Sequence, residues 1–479
     1  MDFFSRPLTI RTDLLRNVRL RHRGWSGRSY VVVFPTKYCP VACGHCYFAS
    51  TMPVKGDVSG GRLGDTDFTR LRDFVADADT DLLQITGGGE PLLELDFVLG
   101  MIREYRARRM LLNTAGLFAT TPQKAADVIH AIYGAYRANP VCGSFIFRLS
   151  VDAFHLRTVK KEKLLNVVRL FREHFAEFSA NGFILKLHTM VGDTSVEELL
   201  EPLADDIRCL GPTEVQFKDG SIVAIGHAPL MRSNSRPDLA DVETTDVAVQ
   251  VFDEVRDPVP GLYMDDDLNL GLCFLVHESG DVELWNTSPA DNLKNIRTSD
   301  FAQVRHSVLS DVLQVAALER TASYVESLAA EVDPLSVRRA KAIGSATLLN
   351  RRIFSDARLS LYVSVRIIQD YLAEGRLTRA ELEGLGEDAL ALIASPRETL
   401  QELYRSSGYD VVEQMLDRAG TNAHDLAALY GQLVLRHFDI PPAVMIERLT
   451  KDHRLGDDVK REFLGRVTEE ARQPIRVGR

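Results

Sequence analysis

The chain has 479 residues, 45% hydrophobic and 26% charged, with 32 Gly and 19 Pro, an ordinary folded composition that excludes a lone small module, a disordered chain and a collagen-like repeat. A formal net charge of −10 argues against a protein whose main task is to coat nucleic acid or an anionic membrane. No run approaches the ~18 apolar residues of a membrane helix, and the first residues lack the pattern of a signal peptide, so a cytoplasmic location is expected.

In chain order, residues 1–28 form a basic arm with seven Arg, expected to pack on the adjoining domain. From about Tyr30 to Lys218, short β-branched runs alternate with amphipathic ones. Strands are predicted at Tyr30–Phe34, Leu82–Ile85, Met110–Asn113, Phe145–Leu149, Ile184–His188 and Val215–Phe217, each pair separated by a segment of helical period. Six β/α units in succession imply a parallel sheet with right-handed crossovers, curled into a partial barrel whose ligands meet the C-terminal strand ends. The expected fold is therefore α/β. After about Asp219 the alternation stops. The runs Leu272–Val276 and Val282–Trp285 around Ser279-Gly280-Asp281 read as a β-hairpin. From about Ser299 the chain has helical period, broken at Pro396, Gly420 and Pro441-Pro442. The units are thus the arm at 1–28, a partial (β/α)6 barrel at 29–230, a small hairpin extension at 231–298 and an all-helical segment at 299–479.

The six cysteines do not form a disulfide framework: Cys39, Cys43 and Cys46 crowd into one loop, and Cys142, Cys209 and Cys273 are scattered. The loop Cys39-Pro40-Val41-Ala42-Cys43-Gly44-His45-Cys46 follows the first strand directly. Three thiolates on a short loop can each take one iron of a four-iron cluster, leaving the fourth iron open to a substrate or cofactor. A zinc site with His45 as fourth ligand is the competing reading, opposed by the difficulty of bringing four closely spaced groups to tetrahedral geometry. One β/α unit later comes Thr86-Gly87-Gly88-Gly89-Glu90-Pro91, where glycines let the backbone approach a ligand and Glu90 offers a carboxylate to an ammonium group.

The Cys spacing, its place after strand one and the Gly-Gly-Glu-Pro turn after strand two resemble the radical S-adenosylmethionine (radical SAM) superfamily over roughly residues 28–230. The resemblance implies one 4Fe-4S cluster on Cys39, Cys43 and Cys46. It also implies S-adenosylmethionine held by Gly88, Gly89 and Glu90, by Ser150 and Asp152 after the fourth strand, and by Tyr47 or His45 beside adenine. It implies an external electron donor such as flavodoxin or ferredoxin, and a 5′-deoxyadenosyl radical that abstracts a hydrogen atom. Ser150 and Asp152, taken without the family, also suit a helix-capping pair. The segments Ile222–Ala228, Cys273–Trp285 and 291–296 resemble a worn SPASM or twitch extension with only Cys273 of its cluster ligands. Cys273 is a candidate hydrogen-atom donor to a product radical, or a buried small hydrophobe.

Polar residues at alternate positions of parallel strands are unusual, and Lys186 with His188, Gln216 with Lys218, Asn113 and His155 are expected to line a site for a small polar, anionic or hydroxyl-rich metabolite. The reaction would be epimerisation, elimination or oxidation. A maturase of a ribosomally made peptide is a second reading, and a non-catalytic iron–sulfur sensor or scaffold a third, opposed by the retained cofactor turn. The helical segment could close the barrel or make a homodimer.

Overall fold

The structure, a computed structural model, describes residues 25–41, 43, 46, 50, 52, 61–228, 262–264, 270–284, 294–320, 322–332, 337, 357–385, 390, 393–394 and 461. The basic arm up to residue 24, His45, Tyr47, Trp285 and most of the helical segment after residue 394 lie outside the described residues. No helix among the described residues is long and apolar enough to cross a membrane.

The strands are β1 (Trp25–Val33), β2 (Thr80–Ile85), β3 (Arg109–Thr114), β4 (Ser144–Ser150) and β5 (Phe183–Met190), followed by β6 (Ile207–Leu210), β7 (Glu214–Phe217) and β8 (Ile222–Ala228). The later strands are β9 (Leu262–Met264), β10 (Leu270–Val276), β11 (Asp281–Leu284) and β12 (Lys294–Asn295). They form one sheet in the order β12-β11-β10-β1-β2-β3-β4-β5-β8-β7-β6, with β9 paired to β10. From β10 to β8 all neighbours are parallel. The expected parallel α/β sheet is present.

Two strand assignments differ from the sequence reading. The sixth parallel strand is β8, not Val215–Phe217, which lies in β7 antiparallel to both β6 and β8. The turn between β7 and β8 contains Gly220 at φ +86 and Asp219, whose Oδ1 accepts from the Ser221 N–H, so the chain reverses there instead of entering a crossover. The hairpin of β10 and β11 forms as expected, pairing Phe274 with Leu284 and Val276 with Val282. In addition, β10 lies parallel to β1, with Tyr30 opposite Cys273, so the hairpin extends the barrel sheet.

Helices α1 (Asp65–Asp77), α2 (Leu95–Glu104), α3 (Pro122–Ala138), α4 (Ala153–Leu156), α5 (Lys161–Glu173), α6 (Phe175–Ala180) and α7 (Ser195–Leu200) fill the crossovers. Val31, Leu83, Leu112, Phe147, Leu185 and Ile225, at alternate strand positions, join the helices in the main core, as sheet geometry requires of one face. The other, concave face carries Tyr30, Val32, Leu82, Leu111, Cys273 and Leu275 in a separate buried cluster. After β12 come α8 (Phe301–Ser310), α9 (Val312–Glu319), α10 (Ala322–Ala329) and α11 (Ala357–Ala373). Phe301 packs edge-on to Phe74 of α1 and Phe274 of β10. Residues of α9 to α11, among them Val315, Tyr362 and Ile368, make a second core of their own.

Candidate active site

The C-terminal strand ends converge on the loop after β1. Thr36, fully buried, donates its hydroxyl to the Gly61 carbonyl and accepts from the Tyr38 N–H, which sets the course of the chain into Cys39. The glycine turn after β2 is fastened onto this loop: Gly89 N–H donates to Thr36 O at 2.8 Å and Glu90 N–H to Tyr38 O at 2.8 Å. A Cβ on Gly89 would collide with the Tyr38 backbone, so only glycine permits this closeness. Cys43 is buried, Cys39 and Cys46 are half-buried, none of the three is in a disulfide, and Cys46 N–H donates to Cys43 O.

Among the described residues, no three His, Cys, Asp or Glu side chains converge as a single metal ion would need. A four-iron cluster makes no such demand, since each thiolate binds a different iron. The donor set of three cysteine sulfurs on one loop fits that group.

Glu90 is held by donors of the protein itself. It is buried at 4% exposure; its Oε1 accepts from the Thr114 hydroxyl at 2.7 Å and the Leu92 N–H at 3.2 Å, and its Oε2 from the Ala115 N–H at 2.8 Å. Burial pushes its carboxyl above the usual range, against those three donors. The side chain is a bolt between the turn after β2 and the end of β3.

Asp152 is likewise drawn to the backbone. Its Oδ1 accepts from the N–H groups of Phe154 and His155, each at 3.0 Å, capping α4. Its Oδ2 lies 2.6 Å from His155 Nδ1. Burial works against a charged ring, but the pull of Asp152, with the Cys43 sulfur adding to it, prevails and raises the His155 pKa to about 10. The loop after β4 is tied to the loop after β5 by Asp193, which accepts from Ala153 N–H at 2.9 Å and Ser195 N–H at 2.7 Å.

The upper concave face is polar. Asn113 pairs in register with Arg148, Arg148 with Lys186, and Ser150 with His188, so alternate residues of three strands line one face. Asn113 Nδ2 donates to Thr86 Oγ1 at 3.0 Å, which aims its Oδ1 the other way. Among the described residues, Asn113 Oδ1 and His188 Nδ1 are buried without a hydrogen-bond partner, a condition that a bound polar ligand would relieve. Burial, with Arg148 and Lys186 beside it, lowers the His188 pKa to about 3, leaving a neutral ring.

Three sequence-predicted residues lie elsewhere. Lys218 is exposed in the β7–β8 turn, before the start of β8 and hence at the N-terminal rim; its N–H donates to Asp206 O. The antiparallel course of β7 reverses the end at which it sits, and Gln216 bonds to Glu214 within the hairpin. Cys273 is fully buried in the lower apolar layer, and desolvation alone pushes its thiol pKa far up. It stands four positions before His277, ~13 Å lower along the strand, so it packs as a small hydrophobe and lies away from the polar layer.

Sequence reasoning missed a pair on the β10–β11 hairpin. His277 stacks edge-on to Phe34 with centroids 5.2 Å apart, and its Nε2 lies 3.2 Å from Oε1 of Glu283, whose side chain is 4% exposed. Glu283 faces Leu275 across the hairpin. Its alternation with the apolar Val282 and Leu284 was the available signal. Arg148 also belongs to the polar layer through its pairing with Lys186.

No protein-family model matches the chain, and no curated protein matches it in sequence. Among solved structures, native anSMEcpe with bound AdoMet is similar at 14% identity and a TM-score of 0.34, covering 60% of this chain and 84% of that one. BtrN in complex with AdoMet and 2-DOIA is similar at 12% identity and TM-score 0.31, covering 61% and 87%. Streptococcus suis SuiB bound to precursor peptide SuiA is similar at 12% and 0.34, covering 64% and 69%. In its own parts, with three cysteines after β1, a glycine turn after β2 bonded to Thr36 and Tyr38 of the loop that carries them, and a parallel sheet beneath, the chain resembles the radical SAM superfamily.

Proposed function

We propose that the chain is a radical SAM enzyme that acts on a small polar metabolite bearing an anionic or hydroxyl group. The observation that carries this reading is the hydrogen-bonded junction of Gly89 and Glu90 with Thr36 and Tyr38, which sets a cofactor turn against a three-cysteine loop at the C-terminal ends of parallel strands. Cys39, Cys43 and Cys46 would hold the cluster, and the backbone of Gly88 and Gly89 the methionine end of S-adenosylmethionine, with Ser150 on the neighbouring strand end. When bound, the pair supplies one-electron cleavage of the cofactor and a radical able to abstract hydrogen.

The chain's own residues then orient and shield. Asn113 accepts a hydrogen bond through its Oδ1, and the neutral His188 offers Nδ1 as a second acceptor, so both suit hydroxyl or amine donors of a ligand. Arg148 and Lys186 supply positive charge for carboxylates. The apolar layer below keeps water from the floor. Half-exposed Cys39 and Cys46 leave a path for electrons from an external carrier such as flavodoxin or ferredoxin.

The test is anaerobic reconstitution with S-adenosylmethionine and a reductant, followed by a metabolite screen for stimulated 5′-deoxyadenosine release. The expected result is about four iron per chain and release that disappears when any one of Cys39, Cys43 or Cys46 becomes Ala, with the circular dichroism of the sheet retained. Release that continues at the wild-type rate in those variants would overturn the assignment.

A further inference from the structure

We infer that His277 is a specificity-determining residue of the substrate site: oriented by the buried carboxylate of Glu283, its imidazole bonds to a hydroxyl group of a sugar acid whose carboxylate lies toward Arg148 and Lys186. The inference rests on the proposed reading of a radical SAM enzyme with a small polar substrate. It deepens that reading by naming the substrate class and a residue that reads it.

The strand pairing places His277 in the site. Val276 stands opposite Val33, Val33 opposite Ile85, and Ile85 opposite Leu112, which pairs with Phe147, and all five belong to the core on the helix side. One residue further along each strand the side chains turn to the other face, and there the row reads His277, Phe34, Thr86, Asn113, Arg148, with Lys186 opposite Arg148. Phe34 N–H donates to Val276 O at 2.9 Å and Thr86 N–H to Val33 O at 3.0 Å, so the ladder reaches this row. The rings of Phe34 and His277 meet at 5.2 Å, and Asn113 Nδ2 donates to Thr86 Oγ1 at 3.0 Å. Two residues earlier on the same face, Leu275, Val32, Leu111 and Ile146 share one cluster, so this face gathers side chains from β10 through β4.

Glu283 stands opposite Leu275 with its side chain 4% exposed, while the His277 side chain, 3.2 Å away, is 22% exposed. The hairpin is fixed without that carboxylate: Phe274 pairs with Leu284 and Val276 with Val282, His277 N–H donates to Asp281 O and Gly280 N–H to His277 O, and Gly280 takes the turn at φ +84. A carboxylate buried beside Leu275 is costly unless it is paired. Its use lies in what it holds, an imidazole set between an acid and the Phe34 ring and still open to a ligand. Functional side chains are commonly locked in this way by the groups behind them.

The row thus runs from the cations of β4 and β5, through the Asn113 amide, to an imidazole on β10. Arg and Lys suit a carboxylate. Asn113 Oδ1, buried without a hydrogen-bond partner, suits a hydroxyl donor. With one ring nitrogen on a carboxylate, an imidazole can donate to or accept from a hydroxyl through the other. A carboxylate at one end and hydroxyl groups toward the other describe a sugar acid.

The experiment uses the full chain reconstituted anaerobically with iron, sulfide, S-adenosylmethionine and reductant, as wild type, His277→Phe, His277→Gln and Glu283→Gln. The probes are D-glucuronate, D-galacturonate and D-gluconate, their methyl esters or amides, and their singly deoxygenated forms, each read by stimulated 5′-deoxyadenosine release. At least one acid is expected to stimulate the wild type, and its uncharged derivative to stimulate less. Loss of one particular hydroxyl should lower kcat/KM roughly tenfold or more in wild type, chiefly through KM, but only about twofold or less in His277→Phe. His277→Gln should restore part of the discrimination, and Glu283→Gln should lose part of it. A merely structural role for the pair would weaken the acid and its deoxy form alike, so a discrimination ratio in His277→Phe equal to wild type at every hydroxyl overturns the inference. Stimulation by none of the acids, in a chain that still cleaves S-adenosylmethionine with reductant, also overturns it. No cleavage under any condition would instead strike the reading on which it rests. If His277→Phe does not fold, the discrimination ratios of His277→Gln and Glu283→Gln decide the matter.

Discussion

The concave face of the sheet carries two layers that obey different rules. One part, with Tyr30, Val32, Leu82, Leu111, Cys273 and Leu275 on β1, β2, β3 and β10, is buried and apolar; the other presents Asn113, two residues beyond Leu111 on β3, with Arg148, Lys186 and His188 on the neighbouring β4 and β5. Parallel strands covered on both faces are normally apolar throughout. Under the proposed function, the polar positions that break this rule are where a ligand would set the side chains. If the apolar floor serves stability and the polar mouth binds the ligand, substitutions should separate the two.

The largest effect is expected at the mouth. Gly89→Ala puts a Cβ into the Tyr38 backbone and must part the glycine turn from the cysteine loop. S-adenosylmethionine cleavage should be lost, while the thermal transition of the sheet stays close to wild type because no core contact is removed. A variant that still cleaves the cofactor at the wild-type rate would show that the junction is dispensable.

Glu90→Gln comes next and sharpens the boundary between the layers. The amide would turn an NH2 toward donors that now bond a carboxylate, costing about 3 kcal/mol of stability, readable as a lowered denaturant midpoint. Cofactor affinity, measured at a temperature where the variant is folded, should change little. A large fall in affinity with unchanged stability would return Glu90 to the ligand-binding role expected from its motif.

At the floor, Cys273→Ser places a hydroxyl in a layer of Tyr30, Leu82 and Leu275, with an expected loss of roughly 2 kcal/mol. Substrate-dependent cofactor cleavage should persist in Cys273→Ala. Product formation that stops in Cys273→Ala, with cleavage intact, would make this thiol a hydrogen-atom donor and dissolve the division between floor and mouth.

Much of this division is legible in the amino-acid sequence. The first five strands follow from runs such as Val31-Val32-Val33 and Phe145-Ile146-Phe147, and the cysteine and glycine motifs identify themselves by placement. The sixth strand does not, because Val215-Gln216-Phe217 and Ile222-Val223-Ala224-Ile225 are equally strand-like; only the tight turn at Asp219-Gly220 separates them, and Lys218 was misplaced with its strand. Nor does the sequence reveal that β10 joins β1, since pairing between segments some 240 residues apart leaves no local pattern. Glu90 and Asp152 show a further limit. A carboxylate that binds a ligand and one that binds backbone N–H groups use the same oxygens, and only the fold decides which donors arrive first.

The smallest effect is the most specific to the upper layer, and it is read against pH. The His188 pKa is lowered from 6.5 to about 3 by burial, with Arg148 and Lys186 opposing a third positive charge. A depressed pKa means that the unfolded chain takes up a proton on acidification before the folded one does, so this residue's contribution to stability is complete above pH 6.5 and is lost as pH falls toward 3. Denaturant midpoints measured between pH 7 and pH 4 should therefore fall less steeply in His188→Gln than in wild type, once the acid titration common to both is subtracted. Lys186→Met should also reduce the wild-type slope, by removing one of the charges that keep the ring neutral. Parallel profiles for wild type and His188→Gln would mean that the ring is solvated in the folded protein, and the upper layer would then be open to water instead of shaped around a ligand.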